Sequence, residues 1–264
     1  MTKLAILRTK DKKEESMQLA QEMGFEVIFA SPLELAEVDS AKFWQFVDEL
    51  ESGKVDQVIL INSIAVKFML QLLNKKGRAE GAVRKLNQKG IIAIGPITAD
   101  AAKREWIKVT AIPEKFTSDG LVQHLGAMVH PSDRVWVLRS DQGSEVITKG
   151  LRQLGAIIEE VAVYKLERTE PDRALLDIWY QTLDGRIDAY VFTSPLSAQT
   201  FVEGGEERHG MRKFGCALNG KLITAIGEPT RKALQDLGFD VDVMPERATF
   251  KDQLLAIKAY LDNK

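Results

Sequence analysis

The 264-residue chain has a single cysteine, Cys216, and only three histidines, His124, His130 and His209. One thiol excludes an intrachain disulfide and points to a reducing compartment. The histidines are scattered without metal-ligand spacing, so no zinc site is expected. Neither sign of charge is in excess: 36 Lys and Arg stand against 38 Asp and Glu, a net charge of −2. That argues against a general nucleic-acid binder, which carries a clear basic surplus. No stretch of about 18 apolar residues marks a membrane span. Residues 1–25 hold Lys3, Arg8, Lys10, Lys12 and Lys13 but no long apolar run, so no signal peptide is read there. The expectation is a soluble, cytoplasmic protein. Also missing are a phosphate loop ending in Lys-Ser/Thr, a Gly-x-Gly-x-x-Gly after a strand, and a Gly-x-Ser-x-Gly elbow. Metal, nucleotide and flavin cofactors are therefore not expected.

What the chain has is itself, twice. Ala93-Ile94-Gly95-Pro96-Ile97-Thr98 returns as Ala225-Ile226-Gly227-Glu228-Pro229-Thr230, an offset of 132. Pro113 maps to Pro245 and Thr117 to Thr249 at the same offset. Upstream the offset is 131: Leu7-Arg8 maps to Leu138-Arg139, Gly24 to Gly155 and Ser63 to Ser194. Such a duplication builds two like domains with a cleft between them, where ligands bind.

Short apolar runs alternate with amphipathic stretches. Strands are expected at 4–7, 26–29, 58–61, 91–94, 109–112, 135–138, 157–164, 190–192, 222–226 and 241–244. Helices are expected at 14–23, 65–73, from 99, at 121–128, 145–154, 197–202, 230–237 and 251–261. The runs are apolar rather than alternating, as buried parallel strands are. Strand–helix alternation then implies α/β architecture: two doubly wound parallel-sheet domains. The stretches 31–35 and 166–171 read as linkers.

Each Ala-Ile-Gly-x-x-Thr segment sits where a strand ends and a helix begins. Gly95 and Gly227 permit the turn, and Thr98 and Thr230 either cap the helix or bind a ligand. Free N–H groups of a first helical turn suit an anion. In an open parallel sheet this carboxyl edge is the ligand side. Asn62-Ser63 and Thr193-Ser194-Pro195 also follow strands, at equivalent positions of the halves; Ser194 followed by Pro195 reads as a helix start, and each segment is either a cap or a second anion-facing turn. The acidic pairs Glu159-Glu160 and Glu206-Glu207 read as solvated faces.

These motifs, in this order, resemble the uroporphyrinogen-III synthase family over nearly the whole chain. The pieces that carry the resemblance are Val163-Tyr164 after Gly155, Phe192-Thr193-Ser194-Pro195, and Ala225 to Thr230 leading through Leu237-Gly238 to Val243-Met244-Pro245. The resemblance implies a discontinuous domain of 1–34 plus 167–264, a second domain of 35–166, and a two-stranded linker between them. It implies a lyase that cyclises hydroxymethylbilane with inversion of ring D and loss of water. Tyr164 takes the family's general-acid position, and Thr98, Ser194 and Thr230 match family positions lining the cleft; Ser63, Gly95 and Gly227 join them as substrate-binding candidates from their places at the strand–helix turns. Arg8 and Arg139, at equivalent strand ends, either add positive charge for substrate carboxylates or form structural salt bridges. The preceding enzyme of the pathway is an implied partner, and the chain is expected to be monomeric. The chain departs from the family pattern at Glu228, Ser140 and Ser144. These departures keep open a weakened paralogue or a non-enzymatic sensor of a tetrapyrrole or other small anion. A two-domain binding protein of the periplasmic type is the remaining alternative, against which Cys216 weighs.

Overall fold

The computed structural model describes residues 1–126, 128–142 and 145–263. Nine strands are found there: β1 (Lys3–Leu7), β2 (Glu26–Ala30), β3 (Leu33–Glu37), β4 (Gln57–Leu60), β5 (Gly90–Ala93), β6 (Arg134–Ser140), β7 (Ile157–Arg168), β8 (Ala189–Phe192) and β9 (Leu222–Ala225). The chain divides into two compact units, one of Met1–Glu34 with Glu167–Lys264 and one of Leu35–Leu166.

The first unit holds a sheet ordered β2-β1-β8-β9, with every neighbouring pair parallel. Side chains alternate between its faces. Leu4, Ile6 and Val191 pack with Ala20, Leu254 and Ile257 on one side. Ala5, Leu7, Tyr190 and Phe192 pack with Ile178, Phe201 and Leu234 on the other. Each of these core side chains is closed to solvent, which stabilises the fold by roughly 1.5–3 kcal/mol for one of Leu, Ile or Phe size. Both faces are buried, so the strands read as continuous apolar runs.

The second unit repeats this plan in the order β3-β7-β6-β4-β5. Val58, Leu60, Trp136 and Leu138 face Phe43, Phe46 and Leu73. Ile59, Val135 and Val137 face Leu121, Ile147 and Leu151. The extra strand, β3, lies at the β7 edge.

The duplication is in register at the level of single residues. In the first sheet Leu7 lies level with Ala30 and Phe192, and Phe192 with Ala225. In the second, Leu138 lies level with Val161 and Leu60, and Leu60 with Ala93. Apart from β3, the two sheets match strand for strand, but each draws two strands from either half of the sequence.

Several elements differ from the sequence reading. The stretches 31–35 and 166–171, read as linkers, carry strand residues: Leu33 begins β3, and β7 runs to Arg168. Stretches 109–112 and 241–244 make only isolated bridges, Ile92 with Ala111 and Thr224 with Val243. Pro113 and Pro245 follow closely, and a residue without an N–H cannot extend a ladder. Helices Ala41–Glu51, Ala79–Leu86, Arg173–Leu183 and Met211–Asn219 lie outside the sequence reading. Ala79–Leu86 starts at Arg78 and Met211–Asn219 at Gly210, neither giving a side-chain cap, and each carries an internal glycine, Gly81 and Gly215. Both features weaken a helix signal.

Candidate active site

The carboxyl edge of the second sheet gathers most of the candidate residues. Tyr164 lies on β7 opposite Ser140, the last residue of β6, where the register shifts. Its carbonyl accepts from the N–H of Asp141 at 3.2 Å. The side chain is only 6 % exposed. Its ring stacks on Phe68 with centroids 5.7 Å apart and planes 18° from parallel. The phenolic oxygen accepts a hydrogen bond from Asn62 Nδ2 at 2.7 Å. Asn62 follows β4, so the bond crosses over the end of β6.

Asn62, not Ser63, caps the helix Ser63–Lys75: its Oδ1 accepts from Ala65 N at 2.8 Å. Ser63 is the first helical residue and lines a cavity of about 340 Å³ with Lys67 and Arg104. This corrects the pairing of Ser63 with Ser194. From strand register, Leu60 corresponds to Phe192, so Asn62 corresponds to Ser194 and Ser63 to Pro195. The offset has already become 132 at this point. Ser194 is an N-cap, its hydroxyl accepting from Ser197 N at 3.1 Å, with Pro195 in the first turn.

Thr98 and Thr230 are not caps. Gly95 and Gly227 occupy the N-cap positions of Pro96–Arg104 and Glu228–Asp236 without side-chain capping bonds. Each threonine is the third helical residue, is buried, and is not hydrogen-bonded through its hydroxyl to a described residue. The first-turn N–H groups are therefore not occupied by a side chain of their own N-cap. Pro96 and Pro229 bring no N–H to these turns, and Thr230 N donates to the Gly227 carbonyl at 3.1 Å.

The two arginines are engaged within their own units. Arg139 is buried and its Nη1 pairs with Glu160 Oε1 at 2.5 Å. Glu160 also accepts from Thr148 Oγ1. Glu159 pairs with Lys42. This acidic pair is thus part of the fold rather than a solvated face. Arg8 donates to Ser16 Oγ at 2.8 Å and lies 4.4 Å over the Phe250 ring. Burial lowers its pKa from the ordinary arginine value, against the pull of Glu15 and Asp11. Of the departures, Glu228 pairs with Arg231 at 2.8 Å, one helical turn on, so its charge is offset locally. Ser140 is half-buried beside Tyr164, while Ser144 lies outside the described residues.

A larger cavity, about 830 Å³, opens at the far end of the Pro96–Arg104 helix beside Lys103, Trp106, Ile107 and Thr110. None of the candidate residues lines it. Among the described residues no three His, Cys, Asp or Glu side chains gather to hold a metal. No helix there is long and apolar enough to cross a membrane.

Two doubly wound parallel α/β units built from exchanged halves of a repeat, with hydroxyls and helix starts along the carboxyl edges, define a two-domain α/β architecture. The family model described as uroporphyrinogen-III synthase HemD matches residues 14–254. A putative uroporphyrinogen-III synthase of Methanothermobacter thermautotrophicus is 29% identical over 258 residues, covering 96% of each chain. The uroporphyrinogen-III synthase of Synechococcus elongatus is 26% identical over 228 residues, 85% of this chain and 83% of that protein. Among solved structures, the uroporphyrinogen-III synthetase of Helicobacter pylori aligns over all of both chains with a TM-score of 0.61 at 12% identity. A triple mutant of the Thermus thermophilus uroporphyrinogen III synthase aligns as fully, with a TM-score of 0.58 at 19% identity. The chain belongs to the uroporphyrinogen-III synthase family, whose reaction is that of a cyclising hydro-lyase in haem biosynthesis.

Proposed function

We infer that this chain converts hydroxymethylbilane to uroporphyrinogen III, with Tyr164 as the general acid. The observation that carries the reading is the phenol itself. It stands at the carboxyl edge of a parallel sheet, its ring is fixed on Phe68, and its oxygen accepts from Asn62. No described residue accepts the phenol's own hydrogen, which leaves it to donate outward.

The substrate's hydroxymethyl C–O bond breaks readily because the pyrrole is electron-rich. Free in solution the chain of rings closes to the wrong isomer. The enzyme's task is therefore largely positioning. Tyr164 gives its proton to the departing hydroxyl, which leaves as water. The substituted carbon of ring D then attacks, and the spiro intermediate rearranges to the inverted ring. The proton released as the last pyrrole regains aromaticity restores the phenol, so the net change is loss of one water.

The substrate's carboxylates are held at the helix starts. Thr98 and Thr230 offer hydroxyl donors, and the N–H groups around Gly95 and Gly227 offer backbone donors. Ser63 adds a hydroxyl near Lys67 and Arg104. The Ser194 oxygen is used in capping, but its hydrogen remains a donor. Arg139 and Arg8 have structural roles in this reading, since their guanidinium groups are engaged by Glu160 and by Ser16 with Phe250. A coupled assay with freshly generated hydroxymethylbilane, followed by separation of isomers, tests the proposal. Formation of isomer III is expected. Isomer I alone, at the spontaneous rate, overturns it.

A further inference from the structure

Both ends of the Asn62 amide have partners. Oδ1 takes the N–H of Ala65, and Nδ2 donates to the Tyr164 oxygen. The helix decides which end is which, because a backbone N–H needs an acceptor. The nitrogen is therefore the end that faces the phenol, and the phenol is the acceptor in that bond. A hydroxyl whose oxygen already receives an N–H directs its own hydrogen elsewhere. The helix capped by Asn62 also carries Phe68, on which the tyrosine ring lies. One helix thus sets both the plane of the ring and the direction of its O–H.

The repeat supplies an internal control. At the equivalent point of the first unit a serine caps the helix alone. Capping needs only an acceptor, which Ser, Asp or Asn each provide. The amide nitrogen is surplus to that task, and it occurs in the unit that has the tyrosine.

We propose that Asn62 is a positioning residue that holds the Tyr164 O–H pointed outward, toward the substrate's leaving hydroxyl. This rests on Tyr164 being the general acid. The inference predicts a difference between two caps. Asn62→Asp keeps an acceptor for Ala65 N but presents an oxygen to the phenol, which then turns its hydrogen inward. Asn62→Ser keeps the cap and leaves the phenol's hydrogen unguided.

The experiment measures steady-state rates and the III:I product ratio for wild type, Asn62→Asp, Asn62→Ser, Tyr164→Phe and Asn62→Asp/Tyr164→Phe, with thermal unfolding of each. Asn62→Asp is expected to lower kcat by about 10–100-fold with KM within about twofold, and Asn62→Ser by less, as for loss of a positioned proton donor. The share of isomer I rises in both. In the Tyr164→Phe background Asn62→Asp costs nothing more, since a residue acting through the phenol has nothing left to act on. Independently of activity, the Asn62 side-chain amide resonance shifts in Tyr164→Phe. Normal kcat and isomer ratio in both Asn62 variants, with Tyr164→Phe impaired, overturns the inference alone. So does full additivity in the double variant. A normal Tyr164→Phe enzyme, or a wild type that makes no isomer III, overturns the general-acid reading and this inference with it.

Discussion

Asn62 and Ser194 stand at one and the same point of the two sheets, each two residues beyond the strand that lies second from the sheet's edge. One caps its helix at 2.8 Å and the other at 3.1 Å. Ser194→Ala is expected to lower unfolding free energy by about 1 kcal/mol through loss of the cap. Chemical denaturation measures it, and a loss below about 0.3 kcal/mol would contradict the role of this hydroxyl in the fold.

Tyr164→Phe is expected to lower the yield of isomer III while the protein stays folded. Losing a general acid costs about 10²–10⁴-fold in general, and this easily ionised substrate puts the effect at the low end. Product affinity changes little. Wild-type turnover with the wild-type isomer ratio would reduce Tyr164 to a packing residue.

Thr230→Ala and Thr98→Ala remove hydroxyls that play no part in capping. Their effect belongs in KM. A hydrogen bond to a carboxylate contributes about 1.5–3 kcal/mol, so KM is expected to rise about tenfold or more for either. Unchanged KM in both variants removes the helix starts from substrate binding.

A Cβ placed on Gly205 would lie 2.4 Å from Phe214 Cε1, and one on Gly204 would lie 2.8 Å from Trp179 Cζ2. Both glycines are inside the helix Pro195–His209, where alanine would otherwise be preferred. Gly205→Ala is expected to destabilise by about 1–3 kcal/mol through overpacking, visible as a lower Tm. A stabilised variant would mean that Phe214 moves aside freely.

Tyr190 donates to Thr182 Oγ1 at 2.6 Å, and burial pushes its phenol well above the ordinary value of 10.0. Its folded pKa is higher than its unfolded one. Its stabilising contribution is therefore full below about pH 10 and declines as pH rises above it, because only the unfolded chain ionises there. Alkaline unfolding is expected to shift to higher pH in Tyr190→Phe. An unchanged alkaline midpoint would assign the transition to other groups.

The strands were legible because both sheet faces are buried. Val58-Ile59-Leu60 and Leu4 to Leu7 have no polar side to interrupt the run. Short apolar runs mislead at the edges: 109–112 and 241–244 have the composition of strands but contribute only one bridge each. The carboxyl-edge turns were legible from Gly95, Gly227 and Pro195. A cap at Asn62-Ser63 was legible too, since an asparagine between a strand and an apolar helix is a standard cap signal, but which of the two residues makes it was not. The adjacent Ser63 matched Ser194 by letter, whereas backbone register matches Asn62. Nor does sequence reveal that Tyr164 takes its hydrogen bond from a residue 102 positions away. Likewise Arg139 and Glu160 carry no sign in the sequence that each is the other's partner.

The exchange of strands sets an order of events on the ribosome. The second unit, Leu35–Leu166, is continuous and has its whole sheet once β7 has emerged. The first unit does not: β1 pairs with β8, and Lys3 N–H donates to Asp188 across 185 positions. Until that partner is made, the leading strand has an open, apolar side with unpaired amides, the kind of edge that nascent chains aggregate through. The early-synthesised strands β1 and β2 must therefore be kept apart from other chains while a complete neighbour folds behind them. The slow step of folding should be closure of this long loop, and it should be the step most relieved by a holding chaperone.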